Sequence, residues 1–199
     1  MTITITSCSL ESRRACEELI RDAFWDLYRP GCVEHLIAHQ AWPTASVALQ
    51  ASTADGTIVG CLIGTTAHVV RADGSQPVLY LGPLAVIGPW QGRGVGSALM
   101  RQGLDEATEL GFDAAFLFGD PDYYRRFGFE PAERLAVTTA DGYSFDAFQA
   151  RLLGTPSWPS GSGRLIEGEA FDIEAGRLSA FDAQFPPREA HVLPGQFGQ

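Results

Sequence analysis

Three glycines alternate with other residues in the middle of the chain, in the segment Gln91-Gly92-Arg93-Gly94-Val95-Gly96-Ser97. The segment follows an apolar run that stops at Gly88-Pro89, and it leads into a helix predicted to begin near Val95. Glycines leave main-chain N–H groups uncovered, and the first turn of a helix carries N–H groups that have no intrahelical acceptor. We therefore predict that this loop binds an anion, and its size favours a pyrophosphate.

Two other kinds of phosphate-binding loop fit this segment less well. A P-loop requires Lys and Ser or Thr after its last glycine, and all 14 basic residues of this chain are arginine. A dinucleotide-binding loop requires G-x-G-x-x-G after the first strand of a βαβ unit. Here the third glycine position falls on Ser97, and the loop lies in the middle of the chain. The first kind is excluded and the second is disfavoured.

Two motifs in order resemble the GNAT superfamily of acetyl-CoA-dependent N-acetyltransferases. Gln91-Gly92-Arg93-Gly94-Val95-Gly96 is similar to the Q/R-x-x-G-x-G/A signature of that family. Downstream, Tyr124-Arg125-Arg126-Phe127-Gly128-Phe129 is similar to its Y-x-x-x-G-F, and the preceding Gly119-Asp120-Pro121 turn resembles one branch of the family. The resemblance covers roughly residues 58–131, is weaker towards the N-terminus and is faint after residue 135.

The resemblance implies acetyl-CoA as the acyl donor. It implies that the glycine loop and the Ser97 hydroxyl bind the pyrophosphate, aided by about half a unit of positive charge at the helix start. The main chain of the preceding strand would bind the pantetheine arm, with an N–H near Leu84 or Ala85 polarising the thioester carbonyl. The implied cofactor-binding residues are Leu84, Ala85, Val86, Gln91, Gly92, Arg93, Gly94, Val95, Gly96 and Ser97. Arg93 would add a salt bridge, or else be an exposed loop residue.

Tyr124 is the catalytic residue that the resemblance implies, as proton donor to the leaving thiolate. A thiol has a pKa of about 8.5 and a phenol one of about 10, so complete proton transfer would be uphill by about 2 kcal/mol. Donation of a hydrogen bond while the C–S bond breaks is therefore the favoured role. The alternative is that Tyr124 only packs against the cofactor, and Tyr123 is expected in the core or lining the substrate.

The sequence does not identify the group that deprotonates the amine. An amine with a pKa of about 10.4 is neutral in about one molecule in 2,500 at pH 7, so a base would help. Many members of the family place a glutamate near the centre of the sheet, but the strand at 78–86 has no carboxylate. The candidates are Asp120, Asp122, His68 or a water held by the main chain, with Asp120 also expected as a helix cap and His68 as a structural residue. A covalent route through Cys61 lacks a paired base.

Composition narrows the class of protein. The chain has 199 residues, is 45% hydrophobic and carries a net charge of −10, which disfavours nucleic-acid binding. The acidic surface suits a cationic amine or serves solubility. No apolar run approaches the roughly 20 residues that span a membrane, and the N-terminus lacks a charged signal-peptide start. The four cysteines show no C-x-x-C spacing, so we expect reduced thiols in the cytoplasm, without disulfides or a metal site.

Periodicity and turn residues predict an alternation of strands and helices. Strands are expected at 2–7, 46–52, 57–70, 78–86 and 114–118, and after 129. Helices are expected at 16–27, 33–39 and 94–110, and from 121. Strands at 145–153 and 164–171 could pair with each other around a loop at 155–163, before an extended tail from 185.

We thus predict an α/β (α+β) fold of GNAT type. Its mixed, mostly antiparallel sheet would be flanked by helices, with the cofactor at a splay between two central parallel strands. Residues 1–153 would form the N-acetyltransferase domain, and residues 154–199 an extension packed on it with a loosely ordered tail.

The expected function is transfer of an acetyl group from acetyl-CoA to a primary amine by direct attack in a ternary complex. The alternative is a non-catalytic acyl-CoA-binding sensor or regulatory module of the same fold. The partner would be a small-molecule or peptide amine, not nucleic acid or membrane, and a homodimer is compatible with exposed edge strands.

Overall fold

The structure is a computed structural model that describes residues 2–155 and 157–196. Met1, Pro156 and residues 197–199 lie outside the described residues, and with them parts of the predicted loop and tail. The described residues contain nine strands, at Ile3–Ser7 (β1), Ala45–Thr53 (β2), Ile58–Arg71 (β3), Gly74–Val86 (β4), Ala114–Phe118 (β5), Glu130–Pro131 (β6), Val137–Thr138 (β7), Phe148–Leu152 (β8) and Gly163–Ile166 (β9). They also contain five α-helices, at Arg13–Phe24 (α1), Glu34–Ala41 (α2), Val95–Glu109 (α3), Pro121–Tyr124 (α4) and Ala175–Asp182 (α5).

The strands form one mixed sheet with the order β1-β2-β3-β4-β5-β8-β6, and β9 pairs with both β3 and β7. Only β4 with β5 and β7 with β9 run parallel among the paired strands of the described residues. The long β3 pairs with β2 as far as Thr65, and β9 then occupies the same edge at Val69. The predicted mixed, mostly antiparallel sheet flanked by helices is confirmed.

Helices cover both faces of the sheet. On one face, Leu99 and Leu104 of α3 are buried with Leu62 and Leu79 of β3 and β4. On the other face, α1 and α2 bury a second cluster, which contains Cys16, Leu19, Ile20, Ala38, Ala41, Cys61, Ile63 and Ala85. Within residues 2–155 and 157–196, no helix combines the length and the apolar character needed to cross a bilayer.

Two helices end before their apolar patterns do. α1 stops at Phe24 and Asp26 adopts a positive φ of 58°, so Leu27 lies beyond the helix and is exposed. α3 stops at Glu109, and Leu110 is exposed instead of lying on the buried face. In both cases the last apolar residue of the period falls in the turn that closes the helix, and at α3 this turn is made by Gly111 at φ 82°.

The expected pairing of the two C-terminal strands is wrong. β8 pairs with β5 and β6, whereas β9 pairs with β3 and β7, so the two strands lie in different parts of the sheet. The sequence shows two apolar segments around a loop, but it does not show that each segment pairs with a strand far away in the chain. Helix α5, which follows β9, was not predicted.

A buried histidine joins α5 to the first two helices. His35 of α2 is fully buried, and its Nε2 lies 3.3 Å from Asp182 Oδ1 of α5. Asp182 also accepts a hydrogen bond of 2.7 Å from Nε of Arg21 of α1. The rings of Phe181 and Phe185 pack on the imidazole at 5.2 and 5.1 Å. Burial lowers the pKa of His35 from 6.5 to about 4, with Asp182 opposing the change and Arg21 adding to it.

The protein is expected to lose stability as the pH falls from about 6.5 to about 4. In that window the unfolded chain binds a proton at His35 that the folded chain does not, so acid favours unfolding, by about 3 kcal/mol in the limit. Urea unfolding at pH 7, 6, 5 and 4 measures this, beside a His35→Phe variant in which the slope between pH 6.5 and 4 should be smaller. The exposed His68 provides the control, because His68→Gln should keep the wild-type slope. An unchanged slope in His35→Phe would assign the acid sensitivity to other groups.

Candidate functional site

The two parallel strands separate soon after they pair. β4 and β5 are in register only at Leu79 with Ala115 and Tyr80 with Phe116. β4 then continues to Val86, whereas β5 ends at Phe118 and the chain turns into α4. The main chain of β4 beyond Tyr80 therefore has no ladder with β5, and a gap opens between the two strands.

A β-bulge coincides with the start of this gap. Leu62 of β3 faces Leu84 and Gly64 faces Leu81, so the single residue Ile63 lies opposite the pair Gly82-Pro83. A bulge shifts the alternation of side chains by one residue. Leu81 before it and Leu84 after it both pack with the α3 cluster, while Ala85 belongs to the α1 and α2 cluster. After the bulge, Leu84 therefore packs on the α3 face and Ala85 on the opposite face, in the part of β4 that has no ladder with β5.

The glycine loop lies between the end of β4 and the first turn of α3. Gly92 and Gly94 have φ of 71° and 83°, and no atom lies within 4 Å of a Cβ built on either residue. Along α3, Ala98 N–H donates to the Gly94 carbonyl at 2.9 Å. The N–H groups of Val95, Gly96 and Ser97 precede that bond in the first turn, where no intrahelical acceptor exists. Open space beside N–H groups that lack an intrahelical acceptor fits an anion.

Side chains fix the loop to the strand before it. Gln91 Nε2 donates a hydrogen bond of 3.0 Å to the main-chain carbonyl of Val86. Val86 is one of the residues expected to contact the pantetheine arm, and its carbonyl already accepts this hydrogen bond. The guanidinium of Arg93 lies 5.6 Å from the centre of the Trp90 ring. Gln91, Gly92, Arg93 and Gly94 are exposed, so the loop is open to a ligand from solvent.

Tyr123 reaches the same loop, which the sequence did not indicate. A Cβ built on Gly96 would lie 2.7 Å from the Tyr123 hydroxyl, so the absence of a side chain at Gly96 admits that hydroxyl to the first turn of α3. The guanidinium of Arg126 lies 4.7 Å from the centre of the Tyr123 ring. Tyr123 therefore borders the first turn of α3 beside the glycine loop, and the glycine at position 96 is the one sequence feature that could have indicated this contact.

Tyr124 lies against the end of β5, and its ring packs edge-on against the Tyr123 ring at 4.9 Å. Its ring covers Gly119 so closely that a Cβ there would overlap it, and it packs edge-on at 6.0 Å against Phe129. The half-buried ring has a pKa raised above the ordinary value of 10, chiefly by burial and then by Tyr123, Tyr28 and Asp120. This phenol stays protonated near neutral pH, so it can donate a hydrogen bond but not accept a proton as a base.

The carboxylates and the histidine named as possible bases, Asp120, Asp122 and His68, each have other contacts or directions in the structure. Asp120 caps α4, accepting a hydrogen bond of 2.9 Å from the main-chain N–H of Asp122. Asp122 is exposed and forms an ion pair of 2.8 Å with Arg125. His68 is exposed and lies between Ala67 and Val69, whose side chains face the cluster that contains Tyr80. Strand alternation therefore points His68 away from Tyr80.

Cys61 is fully buried beneath α1, opposite Ala85 in the ladder. A hydrogen bond with Cys16, together with burial, raises the pKa of the Cys61 thiol well above its ordinary value. A covalent route needs the thiolate, which this environment disfavours. The cysteines at 8, 16, 32 and 61 are all free thiols. Within the described ranges, no group of His, Cys, Asp and Glu is arranged to hold a metal ion.

Tyr80 and Glu167 form a further part of the site that the sequence did not reveal. Tyr80 is the last residue of β4 in register with β5, and burial together with the nearby Glu167 carboxylate raises the pKa of its phenol. Glu167 follows β9 and lines a pocket of about 510 Å³ that also includes Phe118 at the end of β5. No local motif marks Glu167, because only the pairing of β9 with β3 brings it to the centre of the sheet.

Comparisons with known proteins agree with this geometry. Residues 16–129 match the family model described as the acetyltransferase (GNAT) family. Over 78 residues the chain is 38% identical to the uncharacterized N-acetyltransferase YjhQ of Escherichia coli strain K12, covering 39% of this chain and 42% of that protein. Over 87 residues it is 33% identical to the uncharacterized N-acetyltransferase YhbS of the same strain, covering 44% and 51%. The chain thus spans about half the length of the curated relatives it matches.

Solved structures share the fold. The crystal structure of YhbS from Escherichia coli in complex with CoA superposes with a TM-score of 0.76 at 24% identity, covering 86% of this chain and 92% of that one. A GNAT family acetyltransferase from Brucella melitensis in complex with acetyl-CoA superposes with a TM-score of 0.65 at 23% identity, covering 86% and 99%. Since the family model matches more than half of the sequence, the chain belongs to the GNAT acetyltransferase family.

Proposed function

We propose that this protein transfers an acetyl group from acetyl-CoA to a primary amine, by direct attack in a ternary complex. The observation that supports the proposal is the end of the β4–β5 ladder at Tyr80, with the open glycine loop following β4 and the Tyr124 ring lying against Gly119 after β5. Two fold relatives are described as complexes with CoA and acetyl-CoA, which supports the same donor here.

The donor would bind along the gap between β4 and β5. The pyrophosphate would accept hydrogen bonds from the N–H groups at Gly92 to Ser97, and Gly92 and Gly94 leave room for it. The pantetheine arm would pair with the main chain of Leu84, Ala85 and Val86, replacing the ladder that β5 does not provide. Arg93 is the one cation of the loop segment and would add charge to the anion site.

The chemistry requires one bond to form and one to break. The amine nitrogen attacks the thioester carbonyl carbon, the C–N bond forms and the C–S bond breaks. Tyr124 donates its O–H to the departing sulfur, and its raised pKa keeps that proton available. Donation of a hydrogen bond stabilises the developing thiolate without forming a high-energy tyrosinate.

The direct test is amine-dependent release of CoA thiol from acetyl-CoA, with the acetylated product identified by mass spectrometry. Release that rises with amine concentration and yields an N-acetyl product supports the proposal. The second candidate is a non-catalytic acyl-CoA-binding module, which the absence of a carboxylate on the described β4 favours. Binding of acetyl-CoA without product from a broad amine panel would support that candidate instead.

Gly119→Ala is expected to lower kcat by about tenfold or more, because the new methyl group displaces the Tyr124 ring. The affinity for acetyl-CoA should change less than kcat, since the substitution leaves the residues of the glycine loop unchanged. Gly176→Ala is the matched control, because a Cβ at that position of α5 meets open space. A wild-type kcat in Gly119→Ala would show that the position of Tyr124 does not matter.

We also propose that residues 154–199 belong to the same folded unit as residues 1–153. The pairing of β9 with β3 and the contacts of Asp182 with Arg21 and His35 support this arrangement. Truncation of the chain before β9 should therefore expose the edge of β3 that β9 covers.

A further inference from the structure

An open pocket lies beside the gap, on the face of the sheet opposite α3. Its volume is about 510 Å³, within the range of small-molecule sites. It is lined by the end of β5, the loop between β7 and β8, and the segment after β9. Four aromatic rings line its wall, contributed by Phe118, Tyr143, Phe145 and Phe171.

Three of these rings are unusually exposed for their type. Phe118 is 39%, Phe145 48% and Tyr143 68% exposed. Phe118 and Phe145 stack nearly parallel at 5.6 Å, so the rings form one ordered apolar wall. A contiguous exposed apolar surface in a concave site is typical of a ligand-binding region.

Tyr80 connects this pocket to the gap between the strands. Its ring packs edge-on against Phe118 at 5.9 Å and against Phe171 at 4.6 Å. Because Tyr80 is the last residue of β4 in register with β5, the pocket begins where the strands part. A molecule in the pocket would approach the gap from the side opposite the glycine loop and α3.

Glu167 places a carboxylate at this junction. It is partly buried, lies close enough to Tyr80 to raise the pKa of that phenol, and lines the pocket. The other charged groups of the pocket wall are Asp141 and Asp172, and Tyr143 is its other titratable group. Arg164 of β9 is directed to the Ala140 carbonyl at 3.4 Å and does not line the pocket. The pocket wall is therefore acidic and aromatic, which suits an ammonium on an apolar body.

We infer that this pocket binds the acceptor as a primary ammonium carried on an apolar, preferably aromatic, body, and that Glu167 removes its proton. The inference rests on the proposed acetyl transfer and names the acceptor class and the base of that site. Glu167 would thus take the role of the carboxylate that β4 lacks. It follows β9, which pairs with the edge of β3 opposite β4.

The proton balance is complete with the groups present. Glu167 takes one proton from the ammonium and releases it to water, leaving a neutral amine that attacks the thioester. The adduct nitrogen loses a second proton, which passes through solvent to the departing sulfur while Tyr124 donates a hydrogen bond to that sulfur. The net products are the acetamide, CoA thiol and one proton. Burial raises the pKa of Glu167, which makes it a stronger base once ionised.

The test compares Glu167→Gln with wild type, using 2-phenylethylamine and acetyl-CoA between pH 6.5 and 9.5. We expect kcat/KM to fall about 100-fold at pH 7, and the deficit to shrink as pH rises because the free amine then forms without a base. Glu169→Gln is the matched control, since Glu169 is exposed, two residues away and outside the pocket wall. A Glu167→Gln profile that coincides with wild type would overturn the assignment of the base.

Tyr143→Ala tests the pocket itself, since this exposed ring can be removed without opening the core. The KM for 2-phenylethylamine should rise severalfold, while that for 2-methoxyethylamine, a primary amine without a ring, should not. Equal effects on both amines, or none, would overturn the aromatic acceptor class.

A binding measurement separates this inference from the proposed function. 2-Phenylethylamine is titrated calorimetrically into protein saturated with CoA, which requires no turnover. Binding that weakens at least tenfold in Glu167→Gln supports the ammonium pocket even if no amine is acetylated, in which case the proposed activity and the base role of Glu167 fail and the pocket stands. Acetylation of amines without any effect of Glu167→Gln or Tyr143→Ala leaves the activity standing and overturns the inference. Absence of binding to wild type also overturns it.

Discussion

Gly94→Glu is expected to weaken acetyl-CoA binding by more than about 100-fold, or about 2.7 kcal/mol. Gly94 precedes the first turn of α3 at φ 83°, in open space that a ligand can enter. A glutamate there brings a negative charge and a side chain to the place where the pyrophosphate would bind. It also opposes the favourable positive end of the helix. Isothermal titration of acetyl-CoA into both proteins measures the change.

The effect of backbone strain in Gly94→Glu must be distinguished from the effect of losing the proposed anion site. A non-glycine residue at this φ costs about 1–2 kcal/mol wherever it occurs. Gly111 is the matched control, because it has φ 82°, equally open space and lies at the opposite end of the same helix. Gly111→Glu should show similar destabilisation with wild-type affinity. Unchanged affinity in Gly94→Glu would place the pyrophosphate elsewhere.

Tyr124→Phe is expected to lower kcat by about 100-fold with little change in affinity for acetyl-CoA. The substitution removes the O–H that would be donated to the leaving sulfur, and it keeps the ring that packs against Gly119 and Phe129. Because burial raises the pKa of Tyr124, no loss of wild-type activity from ionisation of this phenol is expected up to pH 10. Steady-state kinetics at saturating acetyl-CoA measure both effects.

The neighbouring tyrosine provides the comparison. Tyr123 borders Gly96 beside the glycine loop, so Tyr123→Phe should act mainly on acetyl-CoA affinity and lower kcat by less than about threefold. A kcat in Tyr124→Phe that equals wild type would leave Tyr124 as a packing residue. A larger loss of kcat in Tyr123→Phe would transfer the donor role to its neighbour.

Local features of the site could be predicted from the sequence. The alternating glycines before α3 and the capping of α4 by Asp120 depend on residues close together in the chain. Turn and cap preferences act over a few residues, so the types and spacing of those residues are sufficient to predict them. The strand predicted at 114–118 is β5, and it runs parallel to β4.

Features that depend on distant pairing could not be predicted. Glu167 reaches the site only because β9 pairs with β3 across about a hundred residues, and apolar segments do not specify which edge they join. The exposed Leu110 shows a separate, local limit at the end of α3. Helical periodicity continued through it, whereas the turn at Gly111 ends the helix one residue earlier.

A crystal structure of the protein with acetyl-CoA bound tests the site most directly. We expect the pyrophosphate on the N–H groups of residues 92–97 and the pantetheine arm along β4 beyond Tyr80. The thioester sulfur should lie within hydrogen-bonding distance of the Tyr124 hydroxyl, and its carbonyl should lie near the main chain of Leu84 or Ala85. Acetyl-CoA bound outside the gap between β4 and β5, or with its sulfur directed away from Tyr124, would contradict the proposed site.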